Sequence, residues 1–97
     1  MSEPFFSPAA REDLREFLLH VARDKPGAAK RLVDKLEQEC RFLANNPGTG
    51  TLRADLLANL RMWSVGSYVI CFQPSSDGVE IIRVIHGARD IAAIFDH

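Results

Sequence analysis

Residues 79–95 read V-E-I-I-R-V-I-H-G-A-R-D-I-A-A-I-F, and this stretch decides the fold. Val79, Ile81, Ile82, Val84 and Ile85 place β-branched side chains on both sides of an extended backbone. A strand apolar on both faces belongs in the middle of a sheet, with a layer above and below it. Arg83 and His86 interrupt it with polar side chains that a plain core strand would lack. Gly87 ends the run, and Arg89-Asp90 open a short tail in which Ile91, Ile94 and Phe95 fall at helical spacing. A central strand thus delivers Arg83, His86 and Arg89 to one end of a sheet, where function is first to be sought.

Working back from Val79, the turn residues Pro74-Ser75-Ser76-Asp77-Gly78 separate this strand from another at Tyr68 to Gln73. Gly66-Ser67 fits a two-residue hairpin turn into a strand at Leu60 to Val65. The 47–59 segment reads as an irregular loop with one helical turn around Asp55 to Ala58. Before it the period changes from 2 to 3.6. Ala29, Leu32, Val33, Leu36, Cys40 and Leu43 stripe a helix that begins at Pro26 and stops at Asn45-Asn46-Pro47-Gly48. Leu14, Phe17, Leu18 and Val21 stripe an earlier helix, started by a Ser7 N-cap with Pro8 at the first helical position. The short connection through Pro26 folds the two helices into an antiparallel hairpin. Glu3 to Phe6 reads as a short first strand, which Pro4 confines to an edge.

The expected architecture is therefore α+β: one domain over residues 1–97, a helix hairpin on a sheet of three or four antiparallel strands, and a short C-terminal helical tail. Strict alternation puts Tyr68, Ile70 and Phe72 on one face against Val69 and Cys71, and Val79, Ile81 and Ile85 against Ile82 and Val84. Both faces are apolar, and a hairpin covers only one. A large apolar patch is seldom left in water, so a partner strand or helix is expected across the other face. The alternative is that the tail and the 47–59 loop cover it themselves.

Composition narrows the function. The chain carries 12 Lys+Arg against 13 Asp+Glu, without the basic excess or stripe of a freestanding nucleic-acid binder. Cys40 and Cys71 lack metal-ligand and C-x-x-C spacing and read as buried small hydrophobes in a reducing compartment. No apolar run approaches a membrane span and no signal peptide is seen, so a cytoplasmic location is expected. The Pro47-Gly48-Thr49-Gly50-Thr51 segment lacks the Gly-Lys-Ser/Thr ending of a phosphate loop. His20, His86 and His97 have no mutual ligand spacing, so neither metal nor other cofactor is expected. Arg61, Arg83, His86 and Arg89 remain. Arginines and a histidine at one sheet end suit phosphate binding with acid–base chemistry in metal-free RNA cleavage. Equally, Arg83 and Arg89 pair with Glu80 and Asp90 while His86 satisfies backbone groups.

Four stretches carry a family resemblance: S-P-A-A-R-E-D-L at Ser7 to Leu14, N-N-P-G-T-G at Asn45 to Gly50, L-R-M-W-S-V-G-S-Y at Leu60 to Tyr68, and V-E-I-I-R-V-I-H-G-A-R-D at Val79 to Asp90. Together they resemble the ParE branch of the ParE/RelE toxins of bacterial type II toxin–antitoxin modules, the last stretch most specifically. The resemblance implies a toxin neutralised by a ParD-like antitoxin, with DNA gyrase as its target and no catalysis of its own. Arg83, His86, Arg89, Ile91, Ile94 and Phe95 would then touch the target, and Trp63, Tyr68, Ile70 and Phe72 the antitoxin. Neither sequence-specific nucleic-acid binding nor a membrane is implied. The alternative branch, RelE, implies a ribosome-dependent mRNA interferase using Arg61, His86, Arg89 and His97. Against it, Val69 follows Tyr68, Ala88 stands where a lysine is common and Phe95 takes the tyrosine register.

Overall fold

A computed structural model describes residues 2–87 and 89–96. In chain order the elements are β1 (Glu3–Phe6), α1 (Pro8–Ala22), α2 (Pro26–Asn45), β2 (Thr51–Leu52), β3 (Arg61–Val65), β4 (Tyr68–Ser75), β5 (Gly78–His86) and α3 (Ile91–Ile94). The sheet order is β1-β5-β4-β3-β2, so β5 pairs on both sides as its two apolar faces require. The β3–β4–β5 meander is antiparallel, but β1 runs parallel to β5 and β2 adds a two-residue strand to β3. The sheet is therefore mixed and five-stranded, not an antiparallel sheet of three or four. The parallel pair follows from the helices, because α1 and α2 return the chain before the meander begins.

Ser7 caps α1 as read: its hydroxyl accepts from the Ala10 N–H at 3.0 Å and donates to the Ile82 carbonyl at 2.7 Å. The hairpin packs on one face of the sheet, burying Ala10, Leu36, Cys40, Leu43 and Ala44 against Ile70, Phe72, Val79, Ile81 and Val84. Leu18 sits outside this layer, 41% exposed.

The other face is covered by the chain itself. Leu60, Cys71 and Ile85 are fully buried beneath Leu56 of the 53–60 loop and Ile91, Ile94 and Phe95 of the tail. The naked apolar face expected from the pattern is absent among the described residues, because one helical turn and one loop suffice over so narrow a sheet. The pattern also misassigned two side chains. A bulge lies where Cys71 pairs with Arg83 but Phe72 with Ile81, leaving Ile82 as the extra residue. Alternation resets there, so Val84 joins Val79 and Ile81 under the helices while Ile85 turns to the opposite face. Gly78 allows β1 to approach: at φ 141° it has a backbone that L side chains rarely adopt, and a Cβ there would strike the Glu3 carbonyl.

Candidate contact surface at the end of the central strand

Where β1 ends, β5 continues, and its open edge meets the start of α1. Asp13 fills that edge. Its carboxylate accepts from Arg83 Nε at 2.8 Å, Arg83 Nη2 at 2.9 Å and the Val84 backbone N–H at 2.9 Å. Asp13 is 5% exposed, the one buried charged residue among those described, and it is fully compensated. The hydrogen bond to Asp13 raises the Arg83 pKa above its ordinary value. Arg83 thus pairs with Asp13, not Glu80, and serves as a strut between helix and strand. The signal for Asp13 was present, since it falls on the helical stripe of Ala10, Leu14 and Phe17 where only apolar residues are expected.

Beyond this strut the strand end turns outward. His86 is exposed, and its ring meets Tyr68 edge-on at 5.3 Å and 88°. Tyr68 in turn tilts against Phe17 of α1 at 4.8 Å. These rings wall a cleft of about 500 Å³ completed by Leu19, His20 and Val21. The Gly87 N–H donates to the Ser67 carbonyl at 2.7 Å, and the Arg89 N–H to the His86 carbonyl at 3.0 Å, so the β3–β4 turn and the strand end brace each other. Arg89 is exposed beside His86. Asp90 caps α3, accepting from the Ala93 N–H at 3.3 Å. Ile91, Ile94 and Phe95 are half-buried on the sheet, while Ala92, Ala93 and Asp96 are exposed.

The remaining sequence candidates do not converge here. Arg61 donates from Nη1 to the carbonyls of Gly48 at 3.1 Å and Gly50 at 3.3 Å, clamping the loop ahead of β2. In the ladder Arg61 lies opposite Phe72, whereas His86 lies opposite Tyr68. Four residues of strand, roughly 14 Å, and a two-strand offset separate them. His97 and Ala88 lie outside the described residues. Ile70 and Phe72, assigned to an antitoxin, are fully buried under the hairpin and have no surface to offer. Trp63 is half-buried, with its indole N–H donating to Glu39 at 3.2 Å, and Tyr68 is half-buried at the cleft. Both cysteine thiols are free and buried, and burial pushes each pKa up to about 12, leaving them protonated and unreactive. No helix among the described residues is long and apolar enough to cross a membrane, and no group of His, Cys, Asp and Glu among them could hold a metal ion.

Solved structures share this architecture. A chain from the chromosomal ParDE toxin–antitoxin system of P. aeruginosa superposes with a TM-score of 0.74 at 17% identity, covering 89% of this chain and 96% of that one. A chain of the RelBE2 toxin–antitoxin complex of Mycobacterium tuberculosis gives 0.60 at 23% identity, covering 88% and 96%. The fold is thus that of the ParE/RelE class. No curated protein matches the sequence. The family model of the ParE toxin of the type II toxin–antitoxin system, parDE, matches residues 5–91, and the chain belongs to that family.

Proposed function

We propose that this ParE-type toxin acts by contact: it inhibits DNA gyrase through the exposed strand end and tail, and a ParD-like antitoxin encoded beside it neutralises it in the cytoplasm. The separation of Arg61 from His86 carries this reading over RNA cleavage. A metal-free ribonuclease needs an acid–base group and cations around one phosphate, and here Arg61 is tied to loop carbonyls and Arg83 to Asp13. His86 and Arg89 stand exposed at the strand end, and Ala92, Ala93 and Asp96 on the outer side of α3, which offers polar and apolar surface for binding a protein.

The test is to induce the chain without its antitoxin and follow two readouts together. Gyrase inhibition predicts a DNA-damage response with filamentation and intact transcripts. Prompt codon-position-specific cuts in ribosome-bound mRNA would show RNA cleavage instead.

A further inference from the structure

The cover over the tail-side face stops short of the sheet's β1 corner. Val79 and Ile81 point into the helix layer and Ile82 toward the tail, so by alternation Glu80 lies on the tail side. Phe6, opposite Ile81, packs under the helices, which leaves Phe5 and Glu3 on the tail side beside Glu80. Phe5 is 64% exposed, more than any other large apolar side chain described.

Two hollows open on this face, one at Glu80 and one at Ile82, a two-residue step of roughly 7 Å along β5. The first, of about 380 Å³, is walled by Glu3, Pro4, Phe5, Asp77 and Glu80. The second, of about 480 Å³, is walled by Pro8, Leu57, Ile82, Ile94 and Phe95 among others, with Leu57 40% exposed. None of the three carboxylates in the first hollow forms an ion pair with a described residue. Arg83, three residues along the strand from Glu80, is committed to Asp13.

An open aromatic ring rimmed by carboxylates suits a cation, and a guanidinium meets both parts, stacking on the ring and forking to the acids. The second hollow is mostly apolar and suits an aliphatic side chain. In an extended segment, residues two apart share one side and stand roughly 7 Å from each other, the step between Glu80 and Ile82. We propose that this corner docks an extended segment of a partner protein in which an arginine lies two residues from an aliphatic residue. The guanidinium rests on Phe5 among Glu3, Asp77 and Glu80, and the aliphatic side chain on Ile82 and Leu57. The same charges disfavour other occupants. A second copy meeting this corner with its own sets three carboxylates against three, and a nucleic acid brings phosphates to them.

The probe is the peptide Arg-Ala-Leu-Ala-Arg, acetylated and amidated so that only its side chains are charged, and readable in either strand direction. Titrated into the ¹⁵N-labelled full chain, it should shift the Glu80 and Ile82 amides with a Kd of about 1 mM or below, and bind more weakly as salt is raised. Citrulline in place of both arginines keeps the shape and removes the charge. That peptide should bind at least about tenfold more weakly, and so should Ala-Arg-Leu-Arg-Ala, which turns the cations to the opposite side from the leucine. Phe5→Ala and Glu80→Gln should each weaken binding at least about threefold. Thermal melts of both variants check the fold, and Glu80→Gln, which keeps the shape of a half-exposed side chain, carries the test if Phe5→Ala unseats β1. Equal affinity for either control peptide, indifference to the substitutions, or no amide shift at millimolar peptide overturns the proposal. Shifts at the same amides that grow with the concentration of the chain alone give the corner to a second copy and overturn it too.

Discussion

Asp13 and Arg83, 70 residues apart, form a two-point pair at 2.8 and 2.9 Å, and the same carboxylate closes the Val84 N–H. One side chain thereby closes the edge of the central strand just past the bulge at Ile82 and ties α1 to the segment that ends in His86. Removing Asp13 leaves a guanidinium and a backbone N–H without partners in a mostly buried site. Asp13→Ala should destabilise the chain by about 2–4 kcal/mol, read as a lower urea midpoint. Asp13→Leu combined with Arg83→Met should recover part of that loss, because no charge then remains unpaired. Equal losses in the single and double variants would show that the pair is not the strut described.

Gly78 is a second point of backbone control. Gly78→Ala adds a Cβ against the Glu3 carbonyl at φ 141° and should unseat β1 from β5. The expected cost is about 1–3 kcal/mol, with faster amide exchange at Ser7, whose N–H bonds Ile81. A stability matching the parent would contradict the tight parallel pairing.

The cysteines predict an alkaline limit. Burial raises both thiols from an ordinary 9.0 to about 12 in the folded chain. Above pH 9 the unfolded chain loses those protons while the folded chain keeps them, so stability is full below pH 9 and falls as pH climbs toward 12. Each thiol should contribute a slope of about 1.4 kcal/mol per pH unit in that window. Melting curves of the parent and of Cys71→Ala measure it: the variant starts lower but should fall less steeply with pH.

The tail covers a core. Ile94→Asp should expose Leu60, Cys71 and Ile85, raise binding of an apolar dye and lower the melting temperature. An unchanged melt would mean that α3 contributes little cover, and loss of toxicity in that variant could then be assigned to the contact surface alone.

Much of this fold was legible because its signals are local. Ser7-Pro8, the stripes of α1 and α2, the Gly66-Ser67 turn and the doubly apolar β5 each declare themselves within a few residues. What escaped depends on distant partners. Nothing in Glu3 to Phe6 says that it pairs parallel to β5, and two residues at Thr51–Leu52 carry no period. The bulge at Ile82 lies beside the residues that Asp13 binds, Arg83 and Val84, and it exchanged the faces of Val84 and Ile85. The same distance misled the site reading, since Arg61 and Arg83 look like free cations until the Gly48 and Gly50 carbonyls and Asp13 are set beside them. Asp13 was the recoverable omission, a carboxylate on an apolar stripe.

The most direct measurement is a supercoiling assay with purified DNA gyrase and the isolated chain. Inhibition by the parent, relief on adding the antitoxin, and loss in an Arg89→Ala variant of unchanged melting temperature is the predicted result. Full gyrase activity at every toxin concentration, together with ribosome-dependent mRNA cleavage by the same preparation, would contradict it.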